Sequence, residues 1–97
     1  MIIEKTDIFE NWLNKINNLE TKIRIIKRLE RIGQNNLGDI KSIGDSIYEI
    51  RMDFGCGYRI YFSYKTKIII LLLCAGDKST QQKDIERAKR INKELGN

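Results

Sequence analysis

The chain has 97 residues, a hydrophobic fraction of 41% and a formal net charge of +5, with two cysteines and no histidine. This length and composition predict one small globular domain over residues 1–97 and exclude intrinsic disorder and a disulfide-rich scaffold. The absence of histidine excludes Ser–His and Cys–His nucleophilic catalysis and histidine-ligated zinc. We expect no metal and no cofactor.

The first third of the chain predicts a strand followed by two helices. The segment MIIEKT is typical of a short strand, and Asp7 with Glu10 matches a capping box at the start of a helix. Apolar residues at helical spacing predict an amphipathic helix over residues 7–16 and a second helix over residues 19–33. Residues 19–36 carry five basic and two acidic side chains, a net charge of +3.

From about residue 45 the apolar period changes to two, which predicts two antiparallel strands, SIYEIRMD and GYRIYFSYK. We expect the intervening glycines to form a three-residue loop over residues 55–57, with the last glycine in the left-handed conformation. Such a loop pairs Arg51 with Tyr61 and Asp53 with Arg59. In that register the two arginines and Tyr61 share one face of the hairpin, which we expect to be open.

The last third begins with an unbroken apolar run that ends in Gly76, Asp77 and Lys78. A run without alternation predicts a central strand over residues 67–75 that is covered on both faces. Ser79 with Gln82 indicates another capping box, which opens a C-terminal helix over residues 80–95. The predicted fold is therefore α+β in the order βααβββα, a small antiparallel sheet with two N-terminal helices packed on one face and a C-terminal helix.

This fold predicts a concavity at the end of the central strand. The side chains expected there are Arg51, Arg59, Lys78, Asp77, and Tyr58 or Tyr61. Clustered cations suit a phosphate backbone, and an aromatic ring beside them is suited to base stacking. A second interpretation stays open, in which the charged residues form cross-strand ion pairs worth about 0.2–1 kcal/mol each and Asp77 and Lys78 are turn residues.

The segments YEIRMDFGCGYRIYF and LLLCAGDKSTQQKDI resemble the RelE/ParE toxin superfamily, and most of all its HigB-like branch, the "addiction module killer proteins". Members of that branch typically have E-L-R, G-P-G-Y-R and G-G-D-K-S-T-Q at these places. The resemblance covers nearly the whole chain and includes the early FENWL helix. Cys56 replaces the usual proline and Ala75 the first glycine, and both changes affect loop geometry more than chemistry.

The resemblance implies a RelE-like fold and a type II toxin that cleaves mRNA in the ribosomal A site, a ribosome-dependent mRNA endoribonuclease. Arg51 and Arg59 match the family's basic strand positions and would stabilise the charge of the phosphorane. Lys78 would do the same or protonate the leaving 5′-oxygen, while Tyr61 or Asp77 would assist proton transfer. Further RNA contacts are expected at Tyr58, Arg28, Arg31 and Gln81.

The family also implies a cognate antitoxin, a small helix-turn-helix protein. The toxin would contact DNA only indirectly, through the antitoxin complex. Ribosome and mRNA are the other expected partners, and the basic second helix suits either ribosomal RNA or the antitoxin. Two rival functions remain open: a ParE-like inhibitor of DNA gyrase, and a non-catalytic RNA-binding or ribosome-binding relative. The chain begins without a secretory signal and its longest apolar run is too short for a bilayer, so we expect no membrane partner and a cytoplasmic location.

Overall fold

The computed structural model describes residues 1–96 and contains one five-stranded sheet between two layers of helices. The elements in chain order are β1 (Ile2–Lys5), α1 (Asp7–Asn14), α2 (Leu19–Gly33), β2 (Ile40–Gly44), β3 (Ile47–Met52), β4 (Tyr58–Tyr64), β5 (Ile69–Asp77), a 3-10 turn (Lys78–Thr80) and α3 (Gln81–Glu94). The strand order across the sheet is β1-β5-β4-β3-β2. The predicted α+β class is confirmed. The sheet is mixed rather than purely antiparallel, because β1 runs parallel to β5, and it has one strand more than predicted.

The additional strand, β2, is a short edge strand that pairs only with β3. Most of its residues are exposed, so its sequence, IKSIG, lacks a clear alternation of apolar and polar side chains. Asp45 and Ser46 form the turn to β3, and both have positive φ angles, 54° and 61°. Hairpin turns of this geometry favour Asn-Gly, Asp-Gly or Gly-Gly, and Ser46 in place of the second glycine weakens the signal that would have predicted the strand.

Helices α1 and α2 pack on one face of the sheet, as predicted. The core on this face comprises Phe9, Ile25, Leu29, Ile32, Ile50, Met52, Ile60, Phe62, Ile70, Leu72 and Ala75. Trp12 packs against this core, and its ring centroid lies 5.7 Å from that of Phe9. No helix within residues 1–96 has both the length and the apolar character needed to cross a bilayer.

The start of α1 is fixed by Thr6 rather than by the predicted Asp7. The Thr6 hydroxyl accepts a hydrogen bond from the Phe9 backbone N–H at 3.0 Å and donates one to the Leu73 carbonyl at 2.6 Å. A hydroxyl can do both because it is donor and acceptor at once, whereas an ionised aspartate only accepts. Thr6 therefore caps the helix and ties it to β5 at the same time.

Helix α3 packs on the opposite face of the sheet, against Ile47, Tyr61, Leu71, Leu73 and Cys74. Strand β5 lies between β1 and β4 with both faces covered, which confirms the predicted central strand, although it begins and ends two residues later than expected. Burial raises the pKa of the Cys74 thiol to about 12, as expected for a cysteine that serves as packing.

The turn into α3 is capped by Asp77, so the predicted cap at Ser79 is wrong. The Asp77 carboxylate accepts hydrogen bonds from the backbone N–H and the hydroxyl of Ser79, and these bonds lower the pKa of Asp77. The Thr80 hydroxyl accepts from the Asp77 backbone N–H at 3.4 Å, which completes a capping box around the 3-10 turn. A carboxylate at this position offers the stronger acceptor to the free N–H groups of the turn.

Gly76 allows β5 to pass close to the start of α3. A Cβ at this position would collide with the Asp84 carboxylate and lie 2.9 Å from the Thr80 hydroxyl oxygen. Asp84 is itself buried and accepts a hydrogen bond from that hydroxyl at 2.6 Å, while burial raises its pKa. The contact between β5 and α3 therefore depends on a residue without a side chain.

We predict that Gly76→Ala lowers the free energy of unfolding by about 1–3 kcal/mol, because a buried backbone or carboxylate has to move. Urea denaturation measures this difference. Gly33→Ala is the matched control, since a Cβ there meets Ile3 Cδ1 at an ordinary 3.7 Å and alanine is the better helix former. Equal destabilisation by both substitutions would contradict the prediction.

Candidate functional site

The loop between β3 and β4 is longer than the sequence predicted. Arg51 lies opposite Arg59 and Met52 opposite Tyr58, so residues 53–57 form the loop. The predicted pairs of Arg51 with Tyr61 and of Asp53 with Arg59 are therefore wrong. The register differs from the predicted one by two residues, an even number, so every side chain stays on its predicted face. The left-handed conformation predicted for the last loop glycine is confirmed, with φ of 77°.

The three predicted cations meet at one end of the sheet. Arg59 on β4 lies opposite Arg51 on β3 and opposite Gly76 on β5, and Lys78 follows at the tip of β5. These cations line a cavity of about 360 Å³, which we call the cationic cavity. Its other lining residues are Asp53, Phe54, Gly55, Cys56 and Gly57.

The last loop glycine, Gly57, lies between two of these cations. Its carbonyl accepts a hydrogen bond from Arg59 Nη1 at 3.1 Å. A Cβ at this position would lie 3.3 Å from Lys78 Cβ and 3.5 Å from Arg59 Nη1. The loop backbone thus fixes the Arg59 guanidinium, and the lack of a side chain leaves the space between the two cations clear.

A buried carboxylate that the sequence analysis did not assign to the site, Glu49, holds the cluster together. The Nε atoms of Arg51 and Arg59 each lie 3.7 Å from Glu49 Oε1. Glu49 Oε2 accepts hydrogen bonds from the Tyr61 hydroxyl at 3.0 Å and from the Gln81 amide at 2.8 Å. One carboxylate between two guanidinium groups reduces their repulsion but leaves the cavity net positive, which favours an anionic ligand.

The sequence does contain a signal for Glu49. It precedes Arg51 by two residues in a strand, and side chains two apart lie on the same face. A carboxylate on the face of two arginines is therefore a candidate partner for both. Its complete burial could not be seen in the sequence, because α3 comes from a distant part of the chain and covers it.

The expectation that Tyr61 lies on an open face is wrong. Tyr61 is fully buried beneath α3, and burial together with the Glu49 charge raises the pKa of its hydroxyl. Its proton is held in the hydrogen bond to Glu49, away from the cationic cavity. Gln81, expected to contact RNA, likewise has its amide hydrogen-bonded to Glu49 in this structure.

Two other predicted site residues are neighbours of the cations along the chain but do not line the cationic cavity. Tyr58 lies on the face of the sheet that α1 and α2 cover. Its ring centroid is 6.1 Å from that of Trp12 and 5.4 Å from that of Phe54. Asp77 uses its carboxylate to cap the 3-10 turn. Neither side chain lines the cationic cavity, whereas Phe54 does. The aromatic ring at this cavity is therefore that of Phe54.

The predicted RNA contacts on α2 lie beside the cationic cavity. Arg28 and Arg31 line a second cavity of about 250 Å³, which shares Asp53 and Phe54 with the first. Arg24 lies over the Phe54 ring, with its guanidinium carbon 4.5 Å from the ring centroid. Positive charge thus continues from the cationic cavity across the loop to α2.

The anchoring of the two predicted α2 cations differs. Arg28 donates from Nη2 to the Leu37 carbonyl at 3.2 Å, and burial lowers its pKa. Arg31 is exposed and lies in the last turn of the helix. Within residues 1–96 no group of three or more Cys, Asp or Glu side chains is arranged to hold a metal ion.

The sequence of the chain as a whole matches a known protein family. Residues 11–95 match the family model described as "Phage derived protein Gp49-like (DUF891)". The chain belongs to the Gp49-like family. A Haemophilus influenzae relative, described as an uncharacterized protein, is 48% identical over 94 residues, which cover 97% of this chain and 95% of the relative.

The fold of this Gp49-like chain is similar to that of the Escherichia coli toxin RelE. An arginine double mutant of RelE in the free state aligns with a TM-score of 0.70 at 17% identity, covering 93% of this chain and 96% of RelE. The isolated RelE toxin aligns with a TM-score of 0.64 at 14% identity, covering 89% and 96% of the two chains. A chain of the intact RelBE toxin–antitoxin complex aligns with a TM-score of 0.60 at 12% identity, covering 78% and 94%. These structures confirm the RelE-like fold that the resemblance implied.

We predict that Glu49→Gln lowers the free energy of unfolding by about 1–3 kcal/mol, because the buried Arg59 loses the negative charge beside it. Tyr61→Phe is the matched comparison: it removes one hydrogen bond to the same carboxylate and should cost about 1 kcal/mol. Urea denaturation of both variants measures the two effects. The prediction fails if Glu49→Gln is no more destabilising than Tyr61→Phe.

Proposed function

We propose that this chain is the toxin of a type II toxin–antitoxin system, of the HigB-like kind, and acts in the cytoplasm as a ribosome-dependent mRNA endoribonuclease. The observation that carries the proposal is the cationic cavity, where Arg51, Arg59 and Lys78 surround one space while a single buried carboxylate orients the two arginines. The RelE-like fold supports the same function.

The residue types suit cleavage of RNA by its own ribose 2′-hydroxyl. That oxygen loses its proton to solvent water and attacks the neighbouring phosphorus, which gives a phosphorane with additional negative charge on its non-bridging oxygens. Arg51 and Arg59 present guanidinium N–H groups that stabilise this charge, and fixed donors of this kind contribute strongly to rate. The bond from phosphorus to the 5′-oxygen then breaks, and Lys78 supplies a proton to that oxygen or stabilises its charge.

Proton transfer is the weaker part of this site. The chain has no histidine, and in this structure neither Tyr61 nor Asp77, the two residues expected to assist, lines the cationic cavity. Most of the rate must then come from holding the substrate in the reactive geometry and from charge stabilisation. An enzyme that stabilises charge well but transfers protons poorly needs its RNA to be held in the reactive geometry. The ribosome would do this for a nuclease that acts on mRNA in the ribosomal A site.

The path of the RNA extends from the cationic cavity toward α2. Arg28 and Arg31 line the adjoining cavity, and Phe54 lies between the two spaces. Cations that follow the backbone and an aromatic ring that stacks on a base are a common combination for single-stranded RNA. In this arrangement Phe54 takes the stacking role that the sequence suggested for Tyr58.

An antitoxin partner is part of the same proposal. One of the chains with this fold comes from the intact RelBE toxin–antitoxin complex. We infer a cognate antitoxin for this chain, a small helix-turn-helix protein, so that DNA is contacted only through the antitoxin complex.

We predict that Lys78→Ala and Arg51→Ala each lower mRNA cleavage by about 10²–10³-fold, the usual cost of removing one fixed donor to a developing negative charge. Both side chains reach solvent, so each variant should stay folded. Growth after induced expression, with mapping of transcript 5′ ends, measures the effect. Lys67→Ala, an exposed lysine outside these cavities, is the control and should cleave like wild type.

Arg59→Ala should remove toxicity altogether, and a thermal melt has to accompany it because Arg59 is buried. Cuts at fixed positions within codons of translated messages, lost in the variants, support the proposal. Growth arrest with intact messages and DNA damage would instead indicate a gyrase inhibitor. Arrest with intact messages and intact DNA would indicate a ribosome-binding protein without nuclease activity.

A further inference from the structure

A further cavity, of about 850 Å³, lies at the other end of α3 and shares no lining residue with the cationic cavity. It is bounded by the turn between β2 and β3, by the end of β4 and by the last turns of α3. Ser63 lines it from β4, four residues beyond Arg59, which corresponds to about 13 Å along the strand. We call this space the α3 cavity.

Two buried side chains of the α3 cavity have polar atoms without partners. Ser63 and Asn92 are 2% and 3% exposed, and within residues 1–96 neither Ser63 Oγ nor Asn92 Oδ1 has a hydrogen-bond partner. The Asn92 amide nitrogen donates to the Asp45 carbonyl at 3.4 Å. Because a carbonyl oxygen only accepts, the nitrogen has to face Asp45, and Asn92 Oδ1 remains free for a donor.

The rim of the α3 cavity is positively charged. Lys89, Arg90 and Lys93 line it, against the single acid Asp45, which lies 4.0 Å from Lys89 in an exposed pair. Within the part of the chain that the structure describes, no carboxylate forms an ion pair with Arg90 or Lys93. The helix dipole accounts for cations near the end of α3. It does not account for two unpaired polar groups that are buried beside them.

These groups define the chemistry of a ligand. The cations and the Ser63 hydroxyl can bind an anion with acceptor oxygens, and Asn92 Oδ1 can accept from a hydrogen-bond donor. A ribose–phosphate backbone offers both, since its phosphate accepts and its 2′-hydroxyl donates. DNA lacks the 2′-hydroxyl, and a carboxylate side chain of a partner protein has no donor.

We propose that the α3 cavity binds a ribose–phosphate segment of RNA, as an anchoring site separate from the cationic cavity. Ser63 donates to a phosphate oxygen, Asn92 accepts from a 2′-hydroxyl, and Lys89, Arg90 and Lys93 balance the phosphate charge. The site does not require the chain to cleave RNA, so it goes beyond the function proposed above.

The test is fluorescence anisotropy with a short labelled RNA hairpin, without ribosomes. All variants are made in a Lys78→Ala background, so that binding at the cationic cavity is weakened equally. We expect Lys89→Ala with Lys93→Ala to weaken binding about tenfold and to reduce the slope of log affinity against log salt by about 2, one for each lost phosphate contact. The control, Lys15→Ala with Lys67→Ala, removes the same charge from exposed lysines outside the cavity and should change affinity less than twofold.

Two further variants test the buried groups. Ser63→Ala should weaken RNA binding severalfold without lowering the melting temperature, because its hydroxyl has no partner in the fold. Asn92→Ala should bring the affinities for the RNA hairpin and its 2′-deoxy counterpart close to equality, an effect that general destabilisation would not produce.

Equal losses from the two lysine pairs would overturn the proposal, because charge alone would then explain binding. If the chain with Ser63 and Asn92 intact binds the RNA hairpin and its 2′-deoxy counterpart equally well, the assignment to RNA is overturned. Loss of antitoxin binding with unchanged RNA affinity would assign the α3 cavity to a protein partner instead. None of these results depends on whether Arg59→Ala removes mRNA cleavage, so the two proposals fail independently.

Discussion

The buried carboxylate of Glu49 is the interaction on which the rest of this end of the molecule depends. It receives hydrogen bonds from Tyr61 on β4 and from Gln81 at the start of α3, and it lies beside the guanidinium groups of Arg51 and Arg59. A buried charge is costly unless several partners surround it. Here the partners come from two strands and a helix. The hydrogen bonds to one carboxylate oxygen tie α3 to the sheet, and the other oxygen lies beside the two arginines at ion-pair distance.

Around Glu49, the polar side chains that stabilise the fold are different from the cations that line the cavity. Tyr61 and Gln81 are occupied with Glu49, while the cations turn toward the loop of the hairpin. The resulting cavity is rich in positive charge and poor in groups that exchange protons near neutral pH. Such a site stabilises a charged phosphate well and activates a nucleophile weakly. The function proposed above, in which the ribosome positions the RNA, is consistent with that imbalance.

Much of the fold could be predicted because the spacing of apolar residues along the sequence is clear. The helical spacing in residues 7–33, the alternation on β3 and β4 and the unbroken apolar run of β5 each give one element type. The faces of the hairpin were predicted correctly even though its register was not, because a two-residue shift preserves the side on which each side chain lies. Strand β2 was missed because it is a short, exposed edge strand without an apolar period, and its turn has Ser46 where the usual Asp-Gly turn has glycine.

The sequence by itself determined the class of the fold and the presence of three cations at one end of the sheet, because both follow from local period and from alternation along a strand. Only the tertiary structure decided which polar groups are covered. The position of α3 buries Tyr61 and Glu49, and Tyr58 packs partly buried against Trp12 of α1 on the opposite face. The same packing brings Ser63 and Asn92 together from distant parts of the chain. Burial of this kind depends on contacts between residues far apart in sequence, which no local pattern encodes.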